Sequence, residues 1–320
     1  MKKAIIASVL LSMASVSLYA ETLKLGHVYD VNHPWHKSAE EAARQVLEKT
    51  EGRIEIDIYP SGSLGTEQEL LEQVIVGGVD IVEVGSGQIA NIFKPMVITE
   101  MPYMFEDNDQ MMNFFESDTA STIFSDFYKQ FNAHIAGSST WGVRHVIGNK
   151  PITNPSDFEG FKLRVPEQTI TVAYAKAMGS NPTPVPYSEA YLAMRQSMVD
   201  GLENPLSSIK SKKFYEAGNN LSLTGHVITA VHYLINDNSL SSLSEKDKKV
   251  VLDVFNQMGR YTEKLVNAAD DEAIGFFKKQ GVNIVEVDKA AFKNKTKSMS
   301  DDYKNHWAKY GDLYTEISKL

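Results

Sequence analysis

Residues 244–280 carry the longest helical pattern in the chain, and its length limits what the remainder can build. Val250, Val254, Met258, Tyr261, Leu265 and Ala268 recur at helical spacing, and Ser244 with Asp247 supplies a capping pattern at the start. As one unbroken helix, residues 244–280 would measure about 55 Å at 1.5 Å per residue. That exceeds one small domain, so the helix is expected to bridge two.

Two α/β units are legible ahead of it. In the first, an alternating strand at 22–28 is followed by a helix over 33–50, with Trp35, Ala39, Ala42, Ala43, Val46 and Leu47 on one face. A strand at 52–60 opens after Gly and closes at Pro60, a helix over 67–76 ends at Gly77-Gly78, and a third strand spans 80–84. Residues 107–131 read as helical and aromatic, with a return to strand at 134–138. The pattern restarts with a strand at 141–147, a turn at 154–157, a strand at 161–165, a helix over 168–178, a strand at 182–185 and a helix over 188–196. Such alternation predicts parallel α/β sheets, and the absence of a long linker means that the units are joined by short strand-like crossings.

The N-terminus reads as a signal peptide, residues 1–20. Lys2 and Lys3 precede an apolar run over 4–16, and Ser17-Leu18-Tyr19-Ala20 supplies a cleavage site before Glu21. No later stretch approaches transmembrane length. The chain has no cysteine, which removes both a lipid-anchor site and a disulfide framework. The mature protein is therefore expected to be soluble in an envelope compartment. Formal charge is −9 for the full chain; without Lys2 and Lys3, 30 basic residues face 41 acidic ones, a net −11. An acidic surface disfavours nucleic acid and anionic membranes, so an anionic ligand must be drawn in by local cations.

Two arginines stand out. Arg144 and Arg164 each sit in an apolar strand-like run, and Arg164 is followed by the Pro-bounded polar cluster Asp200-Gly201-Leu202-Glu203-Asn204-Pro205. A guanidinium stays charged and matches a carboxylate bidentately, which suits selection of small organic acids. Salt bridges to Asp or Glu within the protein would satisfy the same cations. His27, His33 and His36 invite a metal reading, but no carboxylate or cysteine pattern supports it, and the Pro-Trp between them is helix-start chemistry. Gly85-Ser86-Gly87-Gln88 lacks the lysine and spacing of a phosphate loop and reads as a turn at a cleft wall. With no Gly-x-Ser-x-Gly elbow and no paired carboxylates, neither an enzyme nor a cofactor is expected.

Several segments together carry a resemblance: Tyr59-Pro60-Ser61-Gly62-Ser63-Leu64-Gly65, Met101-Pro102-Tyr103, Gly160-Phe161-Lys162-Leu163-Arg164-Val165-Pro166, Pro182-Thr183-Pro184 and the 200–205 cluster. In this order, behind a signal peptide, they resemble the solute receptors of TRAP (tripartite ATP-independent periplasmic) transporters, the DctP family. The resemblance implies a two-lobed periplasmic-binding-protein fold, with a hinge and the long bridging helix, that closes on its ligand. It implies that Arg164 anchors the ligand carboxylate, that Arg144 matches a second contact position, that Asn204 lies on the cleft wall and that Tyr187 sits beside the ligand. Implied partners are a small organic acid and the small and large membrane permease subunits, with the receptor a monomer in the periplasm.

The lobes are expected as 21–141 with 230–269, and 142–229 with 270–320. Sialic acid receptors resemble the chain at Tyr174-Ala175-Lys176 and Glu203-Asn204-Pro205-Leu206, but usually carry an acid and a base where Gly85 and Gln88 stand here. Trp141, His145, Gln88 and Asn204 offer hydrogen bonds and a stacking face, which favours a hydroxylated sugar acid such as a hexuronate or aldonate. A C4-dicarboxylate, with Arg144 serving its second carboxylate, is the competing ligand. A sensory receptor serving a membrane kinase is the competing class, and an extracytoplasmic hydrolase is a third.

Overall fold

The computed structural model describes residues 20–320. Apart from Ala20, the expected leader lies outside the described residues. Ten strands form the sheet: β1 (Glu21–Gly26), β2 (Ile54–Tyr59), β3 (Ile81–Gly85), β4 (Ala133–Gly148), β5 (Lys162–Val165), β6 (Asn181–Pro184), β7 (Gly201–Pro205), β8 (Asn220–Ser222), β9 (Ile228–Asn236) and β10 (Asn283–Val285). Their order is β2-β1-β3-β9-β4-β7-β5-β6, with β8 also on β4 and β10 on β8. β1 runs parallel to β2 and β3, and β5 runs parallel to β6 and β7. These parallel sets, covered by the helices between their strands, are the centres of two α/β lobes.

β4 joins them. Its residues 133–143 pair antiparallel with β9, while 144–148 pair with β7. The chain thus crosses between lobes inside a strand. The sequence pattern predicts two strands here, at 134–138 and 141–147; the structure has one, because bulges at Ile135/Gly137 and Thr140/Gly142 absorb the breaks in alternation. The expected helical block at 107–131 divides into Asn108–Phe115 and Asp118–Phe131, where the Ser117 side chain caps the second helix by accepting the Ala120 N–H. The expected turn at 85–88 is the end of β3 and the start of the helix Ser86–Ile92.

The long helix is Glu245–Lys279, with Ser244 Oγ accepting the Asp247 N–H. It packs along β4, against the helix Pro34–Lys49 of the first lobe and the helix Leu206–Ser211 of the second. Gly137 permits the close approach, since a Cβ there would lie 2.1 Å from the Phe255 carbonyl oxygen. Beneath this contact Tyr233 packs between Trp35 and Phe255 in tilted ring contacts, at 5.2 and 4.9 Å between ring centroids, all three fully buried. The C-terminal residues return to first-lobe helices: Lys309 and Tyr310 reach Asp126, and Gln110 donates to the Ile317 carbonyl. Among the described residues no helix is long and apolar enough to cross a membrane.

Candidate ligand-binding site

Arg164 is the third residue of β5, with β6 and β7 on either side of it in parallel register. Its side chain is 1 % exposed. Nε and Nη2 donate to the Val185 carbonyl at 2.9 and 2.5 Å, and among the described residues Nη1 has no partner. Burial lowers its pKa to about 10, with Arg144 pushing the same way and Glu203 opposing, so the group stays charged at neutral pH. A buried cation with an unused donor is costly unless an anion completes it.

The cavity before Arg164 is lined by Thr66, Glu67, Gln88, Trp141, Pro166, Glu167, Pro186, Tyr187 and Asn204. Only about 10 Å³ of it is open to the centre of a water molecule. Larger grooves, of about 720 and 550 Å³, lie elsewhere. Size does not select the site; the hydrogen-bonding deficit does. Asn204 is fully buried with both amide atoms unpartnered, and the hydroxyl of Tyr187 is also buried without a partner at bonding distance. Tyr29, whose ring meets those of Trp141 and Tyr187 edge-on at 5.3 and 6.1 Å, has a third orphaned hydroxyl. Native interiors leave few such atoms, and each needs a reason.

The opposite wall is built from the first lobe. Thr66 caps the helix Glu67–Val76 in a capping box with Glu69, which places Glu67 in the first turn, facing inward. Glu67 Oε1 accepts the Gly85 N–H at 2.6 Å, and burial raises its pKa despite that bond and the nearby Arg144 and Arg164. Gln88 lies on the short helix after β3 and accepts from Asn91 Nδ2. A Cβ at Gly87 would meet the end of the Gln168 side chain at 2.1 Å, so a larger residue there would displace the Gln168 amide.

Five of the seven expected residues, Arg164, Asn204, Gln88, Tyr187 and Trp141, thus share one cavity, whereas Arg144 and His145 are not in its lining. Arg144 pairs with Glu203 through Nε and Nη2, and Nη2 also donates to the Glu203 backbone carbonyl. His226 Nε2 lies 3.3 Å from the same carboxylate and stacks on Tyr174 at 4.4 Å. The Arg144 guanidinium stands 5.4 Å from the centroid of Trp141, behind the cavity wall. His145 is opposite Asn204 in the β4–β7 register, and its Nδ1 accepts the Gly225 N–H. Burial, with His226 and Lys289 adding repulsion, lowers its pKa to about 3, so its ring is neutral. The internal salt bridge allowed for in the sequence is the one that Arg144 forms.

Sequence reading missed Glu67 and Tyr29. Glu67 looks like any acid in a first helical turn, and Tyr29 lies just after β1 with no pattern of its own. The histidine trio has structural partners: His33 caps its helix by accepting the Trp35 N–H and approaches Ser208 Oγ at 3.1 Å, and His27 meets His36 at 3.0 Å. Among the described residues no group of three or more His, Asp or Glu is placed to hold a metal.

A two-lobed α/β molecule with an arginine-centred cavity between the lobes is a solute receptor in form. The chain belongs to the DctP family, described as bacterial extracellular solute-binding protein, family 7, which it matches over residues 25–309. It is 33 % identical over 91 % of its length to the sialic acid-binding periplasmic protein SiaP of Vibrio cholerae, of which 91 % is covered. A TRAP periplasmic solute-binding protein from Xanthobacter autotrophicus, solved with β-D-galacturonate, superposes with a TM-score of 0.89 at 25 % identity, covering 93 % of this chain and 99 % of that one. One from Roseobacter denitrificans, solved with L-galactonate, gives 0.84 at 29 % identity, covering 87 % and 93 %.

Proposed function

We propose that this protein is a periplasmic TRAP receptor that binds a sugar acid, a hexuronate or aldonate, and hands it to a membrane permease of small and large subunits without altering it chemically. The observation that carries the reading is the partnerless Nη1 of Arg164 in a cavity that also holds the orphaned amide of Asn204 and the hydroxyl of Tyr187. A carboxylate satisfies the first and sugar hydroxyls satisfy the others. Glu67 adds an acceptor for a hydroxyl and repels a second carboxylate. Because Arg144 is engaged by Glu203, the second cation that a C4-dicarboxylate needs is already neutralised. In this reading Arg164, Asn204, Gln88, Tyr187 and Trp141 touch the ligand, and Arg144 and His145 support the wall behind them.

The lobes are assigned as 21–141 with 230–269, and 142–229 with 270–320, the end of the second segment also strapping the first lobe through Asp126. The cavity is too small for a six-carbon acid as it stands, so the lobes part to admit one. Sialic acid is the second reading, favoured by the identity to the Vibrio cholerae receptor. Thermal-shift and calorimetric screening of unfolded, ligand-stripped and refolded protein separates these ligands. Galacturonate, glucuronate or galactonate should rank above sialic acid and succinate; a response to sialic acid alone overturns the sugar-acid assignment.

A further inference from the structure

A second groove, outside the arginine cavity, lies where three helices meet. Pro34 and Lys37 come from the helix Pro34–Lys49, Ser207, Lys210 and Ser211 from the helix Leu206–Ser211, and Leu265, Ala269, Glu272 and Phe276 from the long helix. Its volume, about 550 Å³, is that of a small-ligand pocket. Leu265, Ala269, Tyr215 and Phe276 make an apolar floor, with Tyr215 and Phe276 edge-to-face at 5.4 Å. The rim is basic. Among the described residues Lys37 and Lys213 have no ion-pair partner, and Lys210 lies 5.0 Å from the Phe276 centroid with only a 3.9 Å approach to the exposed Glu272. In a chain of net charge −9, three lysines around one apolar floor concentrate positive potential locally. Ser207, 3 % exposed, lines the groove with an unpartnered hydroxyl.

We infer that this groove is a second ligand site, selective for small amphipathic anions with an aromatic or branched apolar body and a carboxylate or sulfonate head. The apolar body lies on Leu265, Ala269 and Phe276, the head meets Lys37, Lys210 and Lys213, and Ser207 supplies a hydrogen bond. The inference uses no residue of the arginine cavity, so it stands or falls apart from the sugar-acid reading.

The probe is 8-anilinonaphthalene-1-sulfonate, compared with the neutral N-phenyl-1-naphthylamine, which keeps the apolar body and lacks the head. Fluorescence titration of the full protein should show one saturable site for the sulfonate, weakened by added salt, and little binding of the neutral amine. The Lys210→Gln/Lys213→Gln variant should bind the sulfonate roughly fivefold more weakly or worse, by loss of two surface attractions. Ala268→Glu, at an exposed groove position on the long helix, should abolish the site by placing a like charge in it. Both variants should keep the wild-type melting temperature and galacturonate response. Equal binding of the two probes, unsaturable binding, or wild-type affinity in both variants overturns the site.

Discussion

Arg144 and Glu203 meet as a buried two-pronged ion pair, 3 % and 2 % exposed at the side chain, two residues out of direct register across β4 and β7 and so on the same face of the sheet. Burial alone would raise the Glu203 pKa, but Arg144 and His226 overcome it and hold the carboxyl low. Breaking such a pair leaves one uncompensated charge in a dry interior. Glu203→Gln should therefore destabilise the protein by about 3–5 kcal/mol, whereas Arg144→Met combined with Glu203→Leu should recover most of the loss. Urea denaturation of the two variants and the wild type measures both effects. Because the folded pKa is depressed from 4.5 to about 2, this stabilisation is complete above pH 4.5 and disappears as pH falls toward 2. The stability of the double variant should consequently decline less between pH 5 and pH 2 than that of the wild type.

Arg164 differs in its energetics. Its Nη1 has no internal partner, so the folded protein alone gains little from the charge. Arg164→Ala should keep the wild-type melting temperature within a few degrees while lowering sugar-acid affinity by over a hundredfold, the consequence of losing a buried charged pair worth roughly 3–5 kcal/mol. Calorimetry on the folded variant reads this directly, and wild-type affinity would remove Arg164 as the anchor.

The contrast between the two arginines marks the limit of what was legible in the sequence. Both occupy apolar strand runs, and only the fold brings Glu203 to one and leaves the other unmatched. Local chemistry was readable. The helix Glu67–Val76 has the expected bounds because the Thr66 cap and the left-handed Gly77 (φ 78°) act within a few residues. The long helix is 245–279 against an expected 244–280, since its period and Ser244 cap are also local. β4 read as two strands because the alternation breaks between 138 and 141, and only the bulge at Thr140/Gly142 and the pairing with β9 carry the strand through that break. β9 itself is buried along all nine residues and shows no alternation to read. Glu67 was invisible as a site residue because its inward direction depends on the Gly85 N–H, from a strand end 18 residues away.

Glu83, on β3, is fully buried opposite Tyr233 of β9, and among the described residues neither carboxyl oxygen has a partner of good hydrogen-bonding geometry. Burial raises its pKa well above 4.5. The folded state therefore holds a proton that the unfolded state releases, and stability falls as pH rises above 4.5 toward the folded value. Glu83→Leu removes both the charge and the orphaned oxygens. It should stabilise the protein by about 1–3 kcal/mol at pH 8 and less at pH 5. Equal gains at the two pH values would mean that the carboxyl is not held protonated.

Side-chain bonds cross between the lobes beside the cavity, among them those of Asn91 to Thr169 and to the Glu167 carbonyl. Lys212 Nζ reaches Asp30 Oδ1 at 2.9 Å, and Ser208 Oγ receives the Trp141 indole N–H at 2.9 Å and approaches His33 at 3.1 Å. Asp30 and His33 follow β1, while Ser208 and Lys212 lie on and just after the helix that follows β7, so these contacts exist only when the lobes are together. The Lys212–Asp30 pair is partly exposed, with side chains 15 % and 30 % accessible, which limits its contribution to about 1 kcal/mol or less. A bond present in one state and absent in the other shifts the equilibrium between them by its full value. Asp30→Asn should therefore speed ligand dissociation up to about fivefold and leave the melting temperature almost unchanged. Stopped-flow displacement gives the rate, and small-angle scattering of the variant at subsaturating ligand should show a larger radius of gyration than wild type. An unchanged dissociation rate would place the Lys212–Asp30 contact outside the closing motion.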